Sequence, residues 1–387
     1  MSGREGVIYL DNAATSFPKA PGVAEAVADH LLRAAGNPGR SGHGLALAAQ
    51  VPVDEARRRL SALLGAADAS RLAFAQNATD ALNTALWGLC RAGDRVLTSG
   101  LEHNAVVRPL AELALRRAVT VERVACGGQG TLDLAALETA LRAGPVRLLA
   151  LVHASNVSGA ILPVAEAAAL ARAHGALVLL DASQTAGVLP LDVRSLGADL
   201  VALPGHKGLL GPTGTGALWV APGLALPSFR QGGTGSHSEE ERHPERMPEA
   251  LEAGTLNAAG LAGLAAALRW LEERGVERVR AHEEALTGRL LGRLGEVRGV
   301  EVVGPAEARA RVGVVSIRVD GWEPVDLAAA LDASFGIAVR AGLHCAPLAH
   351  RSLGTLPAGT LRLSPGAFST EDEIDGAAAA IAELASG

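Results

Sequence analysis

The sequence feature that most constrains the fold is a regular alternation of short apolar runs and helical patterns between residues 70 and 220. The runs have the length of strands, and the segments between them carry apolar residues at helical spacing. The predicted strands are Arg71–Ala75, Arg95–Thr98, Val119–Val124, Arg147–Val152, Ala176–Asp181, Leu200–Leu203 and Gly216–Val220. The predicted helices are Thr79–Arg91, Asn104–Arg117, Leu134–Arg142 and Ala165–His174. This alternation predicts an α/β protein whose mostly parallel mixed sheet binds ligands beyond the carboxyl ends of its strands.

The last third of the chain has a different pattern. Phe229–Gly254 is rich in glycine, proline and charge, and it is predicted to form a long exposed excursion. The elements predicted after it are helices Ala258–Arg274, Val276–Leu294, Pro324–Ser334 and Glu371–Leu384 and strands Gly313–Val319, Ala338–Arg340 and Thr360–Ser364. We therefore expect a large α/β domain at residues 16–256 and a smaller α+β domain formed by residues 1–15 and 257–387.

Composition excludes several classes of protein. The chain of 387 residues has 49% hydrophobic residues and a net charge of −6, so it can bury a core and lacks the basic surface of a nucleic-acid binder. No apolar run approaches the ~18 residues of a membrane-spanning helix, and Met1–Glu5 offers no signal-peptide core. Three cysteines are too few for a disulfide framework. We expect a soluble, cytoplasmic protein that binds neither nucleic acid nor membranes.

Any lysine chemistry in this protein must fall to one of two residues, because Lys19 and Lys207 are the only lysines. Lys207 follows a predicted strand and opens a glycine-rich loop, where a desolvated amine would be a nucleophile. An ordinary lysine in a turn is the alternative interpretation. Lys19 lies between Pro18 and Pro21 and is predicted to be a surface residue.

Polar residues follow the ends of several other predicted strands. Asp181 would lie in the ligand crevice, where it could pair with the ring nitrogen of pyridoxal phosphate or simply cap a helix. Gln184 could donate to the phenolate oxygen of the same cofactor. Asn77 or Thr79, at a helix start, would offer free amides to a phosphate. His103 could stack on a flat cofactor, or it could be a capping or solvent-facing histidine.

The second predicted domain contributes one candidate nucleophile and two candidate anion ligands. Cys345 lies in a predicted loop beside His344, where a thiol can be exposed and reactive or simply inert. Arg340 and Arg362 lie at strand ends and could bind a substrate carboxylate with two hydrogen bonds. The other two cysteines are predicted to be packing or incidental residues.

Taken in order along the chain, these residues resemble the class V aminotransferase family of pyridoxal-phosphate enzymes. Within that family the chain is most similar to the SufS/CsdA-like group of cysteine desulfurases and selenocysteine lyases. The matching positions are Thr79, His103, Asn156, Asp181, Gln184, His206 with Lys207, Thr255, Arg340, Cys345 and Arg362. The resemblance runs from Tyr9 to Thr370. It implies fold type I, with a large cofactor-binding domain and a smaller domain that carries the catalytic cysteine.

The resemblance also implies a role for each matching residue. Lys207 would bind the cofactor covalently, His103 would stack on its ring and pass protons, and Cys345 would attack the substrate sulfur. Arg362, with Arg340, would bind the substrate carboxylate, and no metal is expected. The further predicted cofactor ligands are Ala78, Thr79, Asn156, Asp181, Gln184 and His206, together with Thr255 from a second subunit. Asn156 would also contact the substrate.

The implied activity is that of a cysteine desulfurase, which converts L-cysteine to L-alanine and leaves its sulfur on Cys345 as a persulfide. A homodimer with shared sites and a sulfur-acceptor protein, as in iron–sulfur cluster assembly, would complete the system. One alternative is a selenocysteine lyase, another β-lyase or a transaminase, none of which needs the thiol. The other alternative is a cofactor-binding docking protein with little turnover. Pro204 stands where the family often has serine, so one phosphate hydroxyl is absent.

Overall fold

The computed structural model describes residues 6–39, 42–235 and 239–386. A seven-stranded sheet forms its centre. The strands of this sheet are β2 (Leu72–Ala75), β3 (Arg95–Ser99), β4 (Thr120–Val124), β5 (Leu148–Val152), β6 (Leu177–Asp181), β7 (Leu200–Pro204) and β8 (Gly216–Val220). Their order is β2-β8-β7-β6-β5-β3-β4. Strand β8 runs antiparallel to both of its neighbours, and the other pairs are parallel. The mostly parallel mixed sheet predicted from the sequence is therefore confirmed.

Helices cover both faces of this sheet. The first seven helices are α1 (Val23–Arg33), α2 (Gly44–Leu63), α3 (Ala78–Leu89), α4 (Asn104–Arg117), α5 (Leu134–Arg142), α6 (Val164–Ala173) and α7 (Ala258–Arg274). Every residue of β5, β7 and β8 is buried, as expected for strands enclosed by helices on both sides. Helix α7 packs against α1 and α2, and its buried residues join the core of the large sheet.

A second sheet of four antiparallel strands lies beside the first. Its strands, in spatial order, are β12 (Arg340–Gly342), β13 (Thr360–Leu363), β10 (Val315–Val319) and β9 (Val300–Val303). The remaining helices are α8 (Val276–Gly295), α9 (Pro324–Phe335), α10 (Pro347–Ser352), whose buried apolar side chain joins the core of the large sheet, and α11 (Glu371–Ser386). Near the N-terminus, β1 (Ile8–Tyr9) pairs in parallel with β11 (Ile337–Ala338), so the start of the chain belongs to this unit. The two-domain division remains our proposal, with α7 packed on the large unit.

Most predicted elements occur within one or two residues of their predicted bounds, but two features differ, and β1, β9 and α10 were not predicted. The sequence prediction assigns no helix before residue 70, whereas α1 and α2 occupy much of that region. Residues 338–340, predicted as one strand, contribute to two short strands in different sheets. The exposed excursion predicted for Phe229–Gly254 is confirmed in its described part, which contains no helix or strand and much of which is exposed. Within the described ranges, no helix combines the length and apolarity that crossing a membrane requires.

Candidate active site

A cavity of about 260 Å³ opens at the carboxyl edge of the central sheet. We call it the Lys207 cavity. It is bounded by the turns that follow β2, β3, β5, β6 and β7, because the carboxyl ends of these strands meet at one edge. Eight of the nine predicted cofactor ligands line it: Ala78, Thr79, His103, Asn156, Asp181, Gln184, His206 and Lys207. The fold therefore brings together residues that are spread over about a third of the sequence.

Lys207 and Asp181 both line this cavity, and their charges interact. Burial lowers the pKa of Lys207 to about 8, and the charge of Asp181 opposes this while those of Arg362 and Arg340 add to it. The Asp181 carboxylate accepts hydrogen bonds from the Ser183 amide at 2.9 Å and from the Ser183 hydroxyl, both at Oδ1. Among the described residues, no hydrogen bond is made by its Oδ2. A lysine whose pKa is lowered to about 8 has far more free amine near neutral pH than an ordinary lysine, and beside a carboxylate it is suited to condense with an aldehyde.

The N-terminus of α3 forms an anion seat at one end of the cavity. Asn77 caps the helix by accepting from the Asp80 amide at 2.9 Å, which leaves the amides of Ala78 and Thr79 without an acceptor among the described residues. His206 Nδ1 is buried nearby with no hydrogen-bond partner in the described chain. These unpaired donors fit a phosphate group. Pro204 also lines the cavity and, as expected from its type, offers no hydroxyl.

His103 lies between the Lys207 cavity and a second space. Its Nδ1 accepts a hydrogen bond from the Ala105 amide at 3.0 Å, as the N-cap of α4. Burial lowers the pKa of the imidazole to about 4, so the ring is neutral at pH 7 and carries its proton on Nε2. His103 also lines an adjoining groove of about 400 Å³, which we call the Cys345 groove because that residue lies in it. One imidazole thus borders both spaces.

Cys345 is exposed and sits on a short strained turn between β12 and α10. His344 and Cys345 have φ angles of 47° and 56°, a left-handed conformation that costs a non-glycine residue ~1–2 kcal/mol. The turn is held from outside, since the Asn104 amide donates to the Cys345 carbonyl at 2.8 Å and Asn156 Nδ2 donates to the His344 carbonyl at 2.7 Å. Arg340 Nη2 lies 3.7 Å from Cys345 Sγ.

Arg362 is fully buried and already bonded within the chain. It donates from Nη2 to Asp11 Oδ1 at 2.7 Å and from Nη1 to the Asn156 carbonyl at 3.1 Å. Its Nε and the Asn156 Oδ1 are both buried without a partner in the described residues. A buried donor and a buried acceptor left unpaired are costly, so this region fits a ligand that carries both acceptor and donor groups, as an amino acid does.

The structure separates one predicted ligand from the others and corrects another prediction. Thr255 is exposed and lines a different groove of about 580 Å³, so a chain does not bring it to its own Lys207 cavity. Lys19, predicted as a surface residue, is partly buried against the loop of Lys207 instead. The physical reason is a tertiary contact with the His206 carbonyl, which no local pattern around Pro18 and Pro21 reveals.

Sequence reasoning missed an N-terminal strap, Asp11–Lys19, that borders the whole site. Asp11 bonds Arg362, the Ala13 carbonyl accepts from Gln184 Nε2 at 3.1 Å, and the Ser16 amide donates to the His206 carbonyl at 2.9 Å. The available signals were its polar residues and the family resemblance that begins at Tyr9, and neither reveals partners that are 171 to 351 residues away in sequence.

Comparison with known proteins places these features in context. A family model described as aminotransferase class-V matches residues 8–376. A probable cysteine desulfurase of Methanothermobacter thermautotrophicus is 34% identical, over 95% of this chain and 92% of the relative. A cysteine desulfurase of Escherichia coli O157:H7 is 35% identical, over 95% of this chain and 90% of the relative.

A solved structure shows the same similarity in three dimensions. The apo structure of cysteine desulfurase from Thermococcus onnurineus NA1 matches with a TM-score of 0.91 and 33% identity, covering 99% of this chain and 96% of that one. The agreement therefore extends over both sheets and the turns between them.

Proposed function

Because the chain belongs to the aminotransferase class-V family, we propose that it is a pyridoxal-phosphate-dependent cysteine desulfurase. It converts L-cysteine to L-alanine and takes the sulfur onto Cys345. One observation carries this proposal beyond family membership: an exposed cysteine lies in a groove that shares His103 with the cavity of the buried lysine. Neither a transaminase nor a simple lyase needs a thiol at that place.

The residues of the Lys207 cavity fit pyridoxal phosphate. The unpaired amides of Ala78 and Thr79 and the unpaired His206 Nδ1 suit its phosphate, and Asp181 Oδ2 suits a protonated ring nitrogen. The amine of Lys207 would hold the cofactor covalently. When bound, pyridoxal phosphate supplies an electron sink for the carbanion that forms at the α-carbon of an amino acid.

Three residues would hold the substrate and move its protons. Arg362 supplies a buried guanidinium for the carboxylate, with Asn156 Oδ1 available for a donor group. Its pairing with Asp11 fixes the orientation of the guanidinium and leaves Nε free. His103, neutral and protonated on Nε2 at pH 7, lies where a proton can pass between the two spaces.

In the proposed sulfur-transfer step, Cys345 is the nucleophile. Its thiolate attacks the substrate sulfur, an S–S bond forms, and the C–S bond breaks with its electron pair remaining on the substrate carbon. Delivery of one proton to that carbon and return of another to the α-carbon complete L-alanine, and Cys345 is left as a persulfide. A thiol reductant or the thiol of an acceptor protein then removes the terminal sulfur. Arg340 Nη2 lies 3.7 Å from Sγ, in contact with the attacking atom.

The direct test is product analysis with the purified protein. With pyridoxal phosphate and a thiol reductant, L-cysteine should give L-alanine and sulfide in equal amounts. Cysteamine has the same thiol and amine but no carboxylate, so its turnover should be lower by about 10- to 100-fold, the value of a charged hydrogen bond. Selenocysteine is assayed in parallel. Pyruvate in place of alanine would indicate a β-lyase, and the absence of every product, with cofactor bound, would favour the docking protein.

We also propose that two copies share their sites and act in the cytoplasm on a sulfur-acceptor protein. Support for sharing comes from Thr255, which is exposed and lies outside its own Lys207 cavity. Support for a reducing compartment comes from the three cysteines, all of which have free thiols. The exposure of Cys345 supports transfer of sulfur to another protein, because the acceptor's thiol must reach the persulfide.

A mixing experiment tests the shared site. Thr255→Val should weaken pyridoxal phosphate binding by roughly tenfold, because a hydroxyl contact to the phosphate is lost. When it is refolded with an excess of Lys207→Ala chains, the Thr255→Val chain meets an intact Thr255 on its partner. Its one functional lysine should then bind cofactor with the affinity of the parent, as measured by absorbance titration. No recovery in the mixture would refute the sharing of Thr255.

A further inference from the structure

The carbonyl oxygen of His206 receives hydrogen bonds from four donors on the N-terminal strap. These are the Ser16 amide at 2.9 Å, Lys19 Nζ at 3.0 Å, Thr15 Oγ1 at 3.1 Å and Ser16 Oγ at 3.2 Å. A carbonyl has two lone pairs, so four converging donors exceed what satisfying its hydrogen-bonding capacity requires. Residues 15–19 therefore surround this one atom, which belongs to the residue immediately before Lys207 in the chain.

Lys19 is the charged member of this group, and its position is costly. Burial lowers its pKa to about 8, so the amine is still protonated at pH 7. In the described part of the chain no carboxylate forms an ion pair with it; its three N–H donors go to Thr15 Oγ1, Ser16 Oγ and the His206 carbonyl. A part-buried cation held only by uncharged oxygens adds no solubility and gains no ion pair.

The contact fixes the backbone of Lys207 directly. The carbonyl of His206 and the amide of Lys207 belong to one planar peptide unit, so an atom that holds the carbonyl also orients the Lys207 Cα. On the other side, the Lys207 carbonyl accepts from the Leu210 amide at 2.8 Å. Lys207 is thus held from both directions, and on the N-terminal side the charge-assisted bond comes from Lys19.

We propose that Lys19 is a positioning residue that holds Lys207 at the angle from which its amine reaches a bound aldehyde. The inference rests on the proposed function, because it assigns Lys19 a part in cofactor attachment. Lys19 does not itself react, since all three of its N–H donors are engaged.

The test measures attachment to Lys207 in the absence of cysteine. Cofactor-free, full-length protein is mixed with pyridoxal phosphate, samples are reduced with borohydride over time, and labelled Lys207 peptide is counted by mass spectrometry. Lys19→Met keeps most of the aliphatic stem and removes the charge; we expect attachment to slow by about 10- to 100-fold. Lys19→Arg keeps the charge and should restore most of the rate. Thr15→Val removes a neutral donor to the same carbonyl and one acceptor of Lys19, and it should slow attachment by clearly less than Lys19→Met does, because the charge remains.

Turnover gives a second, independent measure. In Lys19→Met, kcat should fall while KM for L-cysteine stays within about twofold, because Arg362 is oriented by Asp11 and not by Lys19. Parental attachment rates in Lys19→Met would overturn the proposal. So would equal losses in Lys19→Met and Lys19→Arg with matching falls in melting temperature, since that pattern indicates packing alone. If Lys19→Met does not fold, Lys19→Gln replaces it under the same criteria.

The experiments distinguish a failure of the desulfurase proposal from a failure of the positioning role of Lys19. If the parent protein labels Lys207 but releases no alanine from L-cysteine, the proposed substrate is wrong while the attachment series still tests Lys19. If the parent releases alanine but Lys19→Met labels at the parental rate, the desulfurase proposal stands and the positioning role is wrong.

Discussion

Lys207→Ala should lower alanine formation from L-cysteine by at least ~10³-fold and abolish borohydride-trapped cofactor. The physical reason is that Lys207 is the one lysine in the Lys207 cavity, and the other lysine, Lys19, has all its N–H donors engaged. Lys207→Arg, which keeps a cation but cannot condense with an aldehyde, should fail in the same way. The measurement is product release together with mass spectrometry of the reduced protein, in which a label on any other residue would contradict the assignment.

The pH dependence of cofactor attachment tests whether the cavity activates the amine of Lys207. Burial lowers the pKa of Lys207 to about 8, and only the unprotonated amine attacks an aldehyde. The rate of attachment in the parent protein should therefore rise as pH increases through about 8 and level off above it. A rate still rising steeply at pH 10, as an ordinary solvent-exposed lysine would give, would show that the cavity does not activate this amine.

Cys345→Ala should bind cofactor and L-cysteine as the parent does, yet release sulfide under a thiol reductant at least ~10³-fold more slowly. The side chain is exposed, and alanine meets the same left-handed backbone penalty as cysteine, so the fold should be unaffected. Sulfide release and the mass of a trapped persulfide check the prediction. Cys126→Ala is the matched control, because that thiol lies outside the Cys345 groove and burial raises its pKa to about 11.

Sulfide and selenide release from Cys345→Ala distinguish the main alternatives for the reaction. Loss of sulfide only in Cys345→Ala establishes transfer through a cysteine persulfide. Undiminished sulfide release from Cys345→Ala would instead indicate elimination, as in a β-lyase. Selenide release from selenocysteine that survives the substitution would favour the lyase branch of the same group, since C–Se cleavage can proceed without the enzyme's thiol.

The local spacing of apolar residues predicted the large sheet and most of its helices. Helices α4, α5 and α7 begin and end at the predicted residues, because helical spacing of apolar residues and a following glycine or strand mark both ends. The polar residues after β2, β3, β6 and β7 were also identified from the sequence, since parallel strands bring their carboxyl ends to one edge, whereas Asn156 after β5 came from the family resemblance. Their catalytic roles remain predictions that came from the family resemblance.

Long-range contacts were beyond this kind of reasoning. Nothing near Asp11 indicates that it pairs with Arg362, and nothing near Lys19 indicates a bond to the His206 carbonyl. The left-handed conformation of His344 and Cys345 is likewise held by long-range hydrogen bonds. The donors are Asn104 and Asn156, which follow strands β3 and β5 of the large sheet. Such contacts depend on how the two units pack, which a single sequence does not encode locally.

The N-terminal strap has a consequence for the order in which the protein can be completed during synthesis. Asp11 leaves the ribosome early, yet its partner Arg362 is translated 351 residues later, and β1 pairs with a strand that begins at Ile337. At ~5–20 residues per second, this delay lasts tens of seconds, during which the large sheet can form alone. Every nascent chain must therefore pass through a stage in which Lys207 has been synthesised while Arg362, in the carboxylate-binding half of the site, has not.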